Sequence, residues 1–258
     1  VRVLRQVSPM SADHVQFHLL WDTGRYAEAA IVLEDFRANW PGENPHNQHL
    51  ATMYANLGKI DEAMAVGRVE RAYIAAELGQ QDIALAAMEE EAATRTDPHD
   101  RADLYWYTYV LLGMHKEALK VLSDLWYGYA DEDVGPKMDA GDALAFVILL
   151  REAGRGDEAV VVADKLFDMG IGDPEDAAPY FRLLEGDYQG ALRLFVENAR
   201  EGNPPVGFTG IRKLYFVLKP FPEYATLENL VEDWQREQRA LYDELTAAQA
   251  SVEDTAHP

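Results

Sequence analysis

One pattern recurs six times along this chain: a helical run, a glycine, and an alanine five residues later. The pairs are Gly24 with Ala29, Gly58 with Ala63, Gly79 with Ala84, Gly113 with Ala118, Gly154 with Ala159, and Gly186 with Ala191. The flanking text is similar too, as in LLWDTGRYAEAA, MYANLGKIDEAM, YVLLGMHKEALK, LREAGRGDEAVV and RLLEGDYQGALR. Six such matches define a repeat, and a repeat constrains the fold before any other feature does. A glycine ends a helix in the left-handed conformation, which is cheap only without a Cβ. The short turn after it reverses the chain into a second helix. The alanine sits where that helix approaches the first, and a larger side chain there would hold the two apart. Beyond it apolar residues return at helical spacing: Leu33 and Phe36, Leu122 and Leu125, Phe195. A single hairpin cannot bury both apolar faces, so neighbouring hairpins have to stack.

The six glycines are separated by 34, 21, 34, 41 and 32 residues. With these spacings the sequence resembles the tetratricopeptide repeat family, whose unit is a 34-residue helix–turn–helix. The second unit matches best, with Leu50, Ala51 and Tyr54 at first-helix packing positions, Gly58 at the turn, Ala63 at the close contact, and Pro41 where the preceding unit ends. The resemblance covers roughly residues 10 to 200. It implies an all-α fold, a right-handed superhelix of about six antiparallel hairpins.

Departures from the pattern carry their own expectations. The 21-residue step predicts one continuous helix from about Asp61 to Leu78. The 41-residue step predicts an inserted loop, Tyr127 to Asp142. Arg71 and Pro179 mark the third and sixth units as degenerate. Asp97-Pro98 and Asp173-Pro174 read as helix starts, with an acid at the N-cap and Pro in the first turn. The array is expected to fill residues 1–200, with capping helices over 201–248 and a disordered tail over 249–258. Two helices fall in the capping region, Thr209 to Leu218 and Thr226 to Ala248. The second carries Leu227, Leu230, Trp234, Leu241 and Leu245 on one side, suited to covering the last open face of a stack. LKPFPEYATLENLVEDW also resembles the segment that follows helical repeats in bacterial signalling proteins such as class III cyclases and winged-helix regulators. That likeness, with Val1 as first residue, implies the C-terminal part of a longer chain.

A net charge of −22 argues against nucleic-acid binding, which needs clustered Lys and Arg, and against an anionic membrane surface. It fits a well-solvated surface or the steering of a basic partner. No run approaches 18 apolar residues, so no membrane span is expected. The absence of cysteine excludes disulfides, thiol nucleophiles and Cys-based metal sites, and it fits cytoplasm and periplasm alike.

Catalytic patterns are missing. The four serines, Ser8, Ser11, Ser123 and Ser251, lie outside any Gly-x-Ser-x-Gly elbow, and no phosphate-binding glycine loop is present. No enzyme activity and no cofactor are expected. His14 and His18 share a helix face, as do His46 and His49 at three residues, but neither pair has an obvious third ligand. Asp131, Glu132 and Asp133 lack the alternating ligands and terminal Glu of a calcium loop. No metal is expected.

The tetratricopeptide resemblance implies a concave strip from the first helix of each unit: His14, His18, Gln48, Thr52, Asn56, Asp103, Tyr107, Leu111 and Arg151. Within the cluster Tyr105, Trp106, Tyr107 and Tyr109, Tyr107 either joins the core or turns into this groove. Gln48 and Thr52 replace the family's Lys and Asn clamp for a carboxylate terminus, and the strip has no Lys. It suits a protein or peptide segment with basic and apolar residues. The expectation is a protein-interaction scaffold. Self-association as an oligomerisation module, and ligand sensing within a larger signalling protein, remain alternatives.

Overall fold

A computed structural model describes residues 9–40, 47–128, 138, 140–168, 178–202 and 215–256. Among these the regular elements are fourteen helices and no strands. They are α1 (Pro9–Asp22), α2 (Tyr26–Asn39), α3 (Asn47–Asn56), α4 (Ile60–Val66), α5 (Arg68–Glu77), α6 (Gln81–Ala92) and α7 (Pro98–Leu111). Then come α8 (His115–Gly128), α9 (Ala140–Glu152), α10 (Gly156–Asp168), α11 (Ala178–Glu185), α12 (Tyr188–Arg200), α13 (Tyr215–Leu218) and α14 (Tyr224–Ala256). From α1 to α12 they pack as consecutive antiparallel pairs. Contacts of α2 with α3, α4 with α5, α6 with α7 and α8 with α9 join one pair to the next.

Each pair closes with the same turn. The Gly24 N–H donates to the Trp21 carbonyl at 3.0 Å and the Arg25 N–H to the Leu20 carbonyl at 2.9 Å, a Schellman pairing that satisfies two carbonyls at the helix end. Equivalent bonds close the turns at the other five glycines, and all six have positive φ, from 69° at Gly24 to 82° at Gly186. The residue after the glycine starts the next helix, and its carbonyl accepts the N–H of the repeat alanine, as Arg25 does from Ala29 at 3.0 Å. All six alanines are fully buried. At Gly113 a Cβ would meet nothing within 4 Å, so the position is held by conformation alone. Gly113→Ala is expected to cost about 1–2 kcal/mol, read as a lower urea midpoint at unchanged slope.

The helix expected from Asp61 to Leu78 is instead two helices, α4 and α5. Gly67 separates them in an extended conformation (φ −109°, ψ 126°), its N–H donating to the Ala63 carbonyl and its carbonyl accepting from the Arg71 N–H. Glycine is the poorest helix former after proline, and the break lets seven-residue α4 complete the second pair while α5 opens the third. The two units expected to be degenerate both form pairs. Arg71 lies on the exposed side of α5, and Pro179 is buried in the first turn of α11, where its missing N–H costs nothing. Asp97 caps α7 as expected, accepting the His99 N–H at 2.8 Å. Most of the expected insertion, Asp173-Pro174, and residues 209–214 lie outside the described residues.

The last helix departs most from expectation. It continues to Ala256 where an end at 248 was expected, and its 33 residues reach about 50 Å. It does more than cover the final hairpin. Tyr224, Leu227 and Val231 belong to the large core built by α5 to α13, and the Gln189 amide donates to Glu223 at 3.2 Å. Further along, Trp234, Leu241 and Tyr242 pack into a second core made by α1, α2 and α3. Residues 224, 227, 231, 234, 238, 241 and 245 follow a strict three–four spacing, the seam of a helix packed along its length on other helices. Gln238 is the polar member of that seam. Its Oε1 accepts the N–H of Ala27 at 3.2 Å, capping α2, whose own N-cap residue Arg25 makes no side-chain cap.

Candidate functional site

The residues of the expected strip do not form one accessible surface. Thr52 and Asn56 are each 1% exposed and Tyr107 is 4% exposed, so in this arrangement they face the interior. Tyr107 packs edge-on against Tyr73 with ring centres 4.2 Å apart, and Trp106 beside it is buried, which gives Tyr107 to the core. Arg151 caps a neighbour: its Nη2 donates to the Leu184 carbonyl at 2.7 Å, in the last turn of α11. The Gln48 side chain lies outside the described residues. Asp103 pairs with His99 across one turn of α7 at 3.4 Å, and the other His99 nitrogen lies 3.8 Å from the buried Asp142 on α9. Among the described residues, His99, Asp100 and Asp103 bring potential metal-ligand atoms within 4.8 Å of one another. A helical cluster of this kind is common on acidic surfaces, and its His99 is already engaged by carboxylates.

His14 and His18 are exposed on α1, with ring centres 4.5 Å apart. The fold sets a third ring beside them. His49 from α3 lies 6.1 Å from His18 and packs against Phe17 and Trp21. His49, one member of the second histidine pair, therefore meets the first pair at His18, and His46 lies outside the described residues.

Open surface with apolar character flanks α14 near both ends. Between α1, α2 and the last turns of α14 runs a groove of about 560 Å³, its apolar lining Leu19, Leu20, Ile31, Val32 and Leu245. Asp13, Glu28 and Asp35 add three carboxylates against one cation, Arg25, which is itself paired with Glu28. Leu19 is 55% exposed in it. A second hollow of about 460 Å³ lies where the turn at Gly113 meets the start of α14, and Leu111 of the expected strip lines it together with Glu77, Glu228 and Glu232. His115 in this hollow packs on Phe216 at 4.3 Å, and burial pushes its imidazole below the usual range against the opposing pull of Glu152.

Sequence reasoning missed the groove because most of its residues lie on α2 and α14, outside the first helices of the units. A signal was present. Phe17, Leu19, Leu20 and Trp21 occupy more than one face of a helix, so packing on α2 and α3 could not bury them all.

Between the two hollows α14 is locked by a polar knot. Glu34 on α2 accepts the Tyr54 hydroxyl from α3 and, at 2.5 Å, the Tyr242 hydroxyl from α14. The Lys59 ammonium sits 4.4 Å from the Tyr242 ring centre. Burial, then the bond to Glu34, pushes the Tyr242 phenol up to about 12, and the same causes raise Tyr54 further.

Comparisons with protein-family models, curated proteins and solved structures find no match for this chain. Among the described residues no helix is long and apolar enough to cross a membrane.

Proposed function

We propose that this chain is a tetratricopeptide-like interaction module, its six hairpins stacked in a right-handed superhelix, and that it docks a basic, partly apolar segment of another protein. The groove between α1, α2 and the end of α14 carries this reading. It leaves Leu19 uncovered beside Ile31 and Val32, and its carboxylates outnumber its cations three to one. A segment that inserts apolar side chains and sets Lys or Arg at the rim would match both features. The array already accepts an amphipathic helix of its own chain, α14, so helix binding is within its chemistry. The net charge of −22 would speed encounter with such a partner.

The test is titration of labelled basic amphipathic peptides, followed by anisotropy. Binding is expected to weaken as salt rises, and to fall at least about tenfold in Leu19→Asp/Ile31→Asp, a loss of about 1.4 kcal/mol or more. Equal affinity for an acidic peptide of the same apolar pattern, or no change in the double variant, would remove the reading.

Self-association is the second reading. Tyr127, Val160 and Val161 are 57%, 47% and 58% exposed, and the Tyr127 hydroxyl bonds Glu158 on the helix that carries both valines. Light scattering that returns a dimer mass, lost in Val161→Glu, would favour it.

A further inference from the structure

We propose that the start of α7 binds one divalent ion of the zinc and manganese kind through His99, Asp100 and Asp103, with Asp142 of α9 supporting the histidine from behind. His99 and Asp103 stand four residues apart on α7 and Asp100 and Asp103 three apart, spacings that make helix-surface neighbours. Their ligand atoms already lie within 4.8 Å of one another, and the His99 Nδ1 is 3.4 Å from an Asp103 oxygen. At bond lengths of about 2.0–2.2 Å, adjacent ligands of one ion stand about 3–3.5 Å apart, so this pair is at chelating distance as it stands. Asp100 is exposed, and a small turn of its carboxylate completes the set.

Two observations separate this cluster from an ordinary acidic helix start. The first is the carboxylate behind the histidine. Asp142 is 3% exposed, and its Oδ2 lies 3.8 Å from the His99 Nε2, the ring nitrogen that does not face Asp103. A neutral imidazole has a single N–H. Set toward Asp142, that proton leaves the Nδ1 lone pair opposite the Asp103 oxygen, and a cation between these two acceptors turns their repulsion into two bonds. A carboxylate that fixes the proton on one nitrogen is the usual support of a metal-binding histidine. The second observation is an oxygen. Among the described residues the Asp103 Oδ1 is buried and accepts no hydrogen bond, whereas a buried carboxylate oxygen ordinarily has a donor or a cation. The charge balance points the same way. Arg95 meets this turn at the Asp100 carbonyl, 2.8 Å away, and its guanidinium is paired with Glu91 at 3.3 Å. One imidazole nitrogen with carboxylate oxygens suits zinc or manganese, while calcium and magnesium prefer oxygen alone. The site lies on α7 and α9, apart from the groove on α1, α2 and α14, so either can fail without the other.

Zinc is titrated into the full chain against a chromogenic chelator, with magnesium in excess to occupy the acidic surface. One equivalent is expected to bind. His99→Gln and Asp103→Asn are each expected to weaken zinc binding by roughly tenfold or more, and Asp142→Asn by about tenfold through the histidine it supports. Asp61→Asn, which removes an exposed carboxylate on α4, should leave it unchanged. Manganese(II) added to the unaltered chain should broaden the His99 imidazole proton signals ahead of those of His14 and His18, a readout that needs no variant to fold. Zinc affinity unchanged in His99→Gln, or lost equally in Asp61→Asn, would reduce the binding to diffuse surface charge and overturn the proposal. No saturable binding in the unaltered chain, or manganese broadening that spares His99, would overturn it as well.

Discussion

A chain truncated after Pro222, and so lacking α14, is expected to unfold in two separated steps where the full chain unfolds in one. The reason lies in how the cores are connected. The described residues form one large apolar cluster from α5 to α13 and a second from α1 to α3, with only small alanine-rich clusters between them. α14 contributes side chains to both. Leu227, Val231, Tyr224 and Tyr242 are each at most 9% exposed on it. Burying side chains of this size contributes about 1.5–3 kcal/mol apiece, an upper estimate because the unfolded chain is not fully extended. Their joint loss is on the order of 5–10 kcal/mol, comparable to the whole margin of an ordinary domain. Truncation also uncaps α2, because Gln238 no longer meets the Ala27 N–H. The N-terminal pairs should therefore melt first, seen as early loss of Trp21 fluorescence in a denaturant titration while most of the helical signal persists. A single transition at the full chain's midpoint would show that α14 is an appendage.

The repeat was legible in the sequence because its two constraints are local. A glycine forced into positive φ and an alanine forced into close contact leave the same mark in every unit, and all six marks correspond to real turns. The break at Gly67 was not legible. Spacing alone asks for a continuous helix there, and an isolated glycine in a helical pattern is often tolerated. What ended the helix was the need to pack α5 as the first member of a new pair. α14 shows the same division. Its apolar side was readable from Leu227 to Leu245, but periodicity says that a face is buried and not against what. Register transferred from a family likewise assigns facing without assigning exposure. Thr52, Asn56 and Tyr107 therefore fell on the expected strip and yet are closed to solvent. The groove was not legible for the converse reason, since periodicity does not say which apolar residue, here Leu19, the fold leaves uncovered.

Stability should fall steeply between pH 10 and pH 12, with the fall centred on the knot that locks α14. Tyr242 is held protonated up to about 12, first by burial and then by its bond to Glu34, against an ordinary tyrosine value of 10.0. A phenol is an acid that loses a neutralising proton, so a raised folded value means the folded state keeps the proton longer than the unfolded chain. The stabilisation is complete below pH 10 and drains as pH climbs through the folded value. The difference contributes on the order of 1–3 kcal/mol, and Tyr54, raised in the same direction by burial and by the same Glu34, steepens the loss. The chain has 13 tyrosines, so the comparison must isolate one. Tyr242→Phe removes the titrating proton and the bond to Glu34 together. At pH 8 it should cost about 1–2 kcal/mol for the lost charged hydrogen bond. Above pH 10 its urea midpoints should decline less steeply than those of the unaltered chain, so that the two curves converge by pH 12. Parallel curves would mean that Tyr242 titrates alike in both states and that Glu34 holds α14 by packing alone.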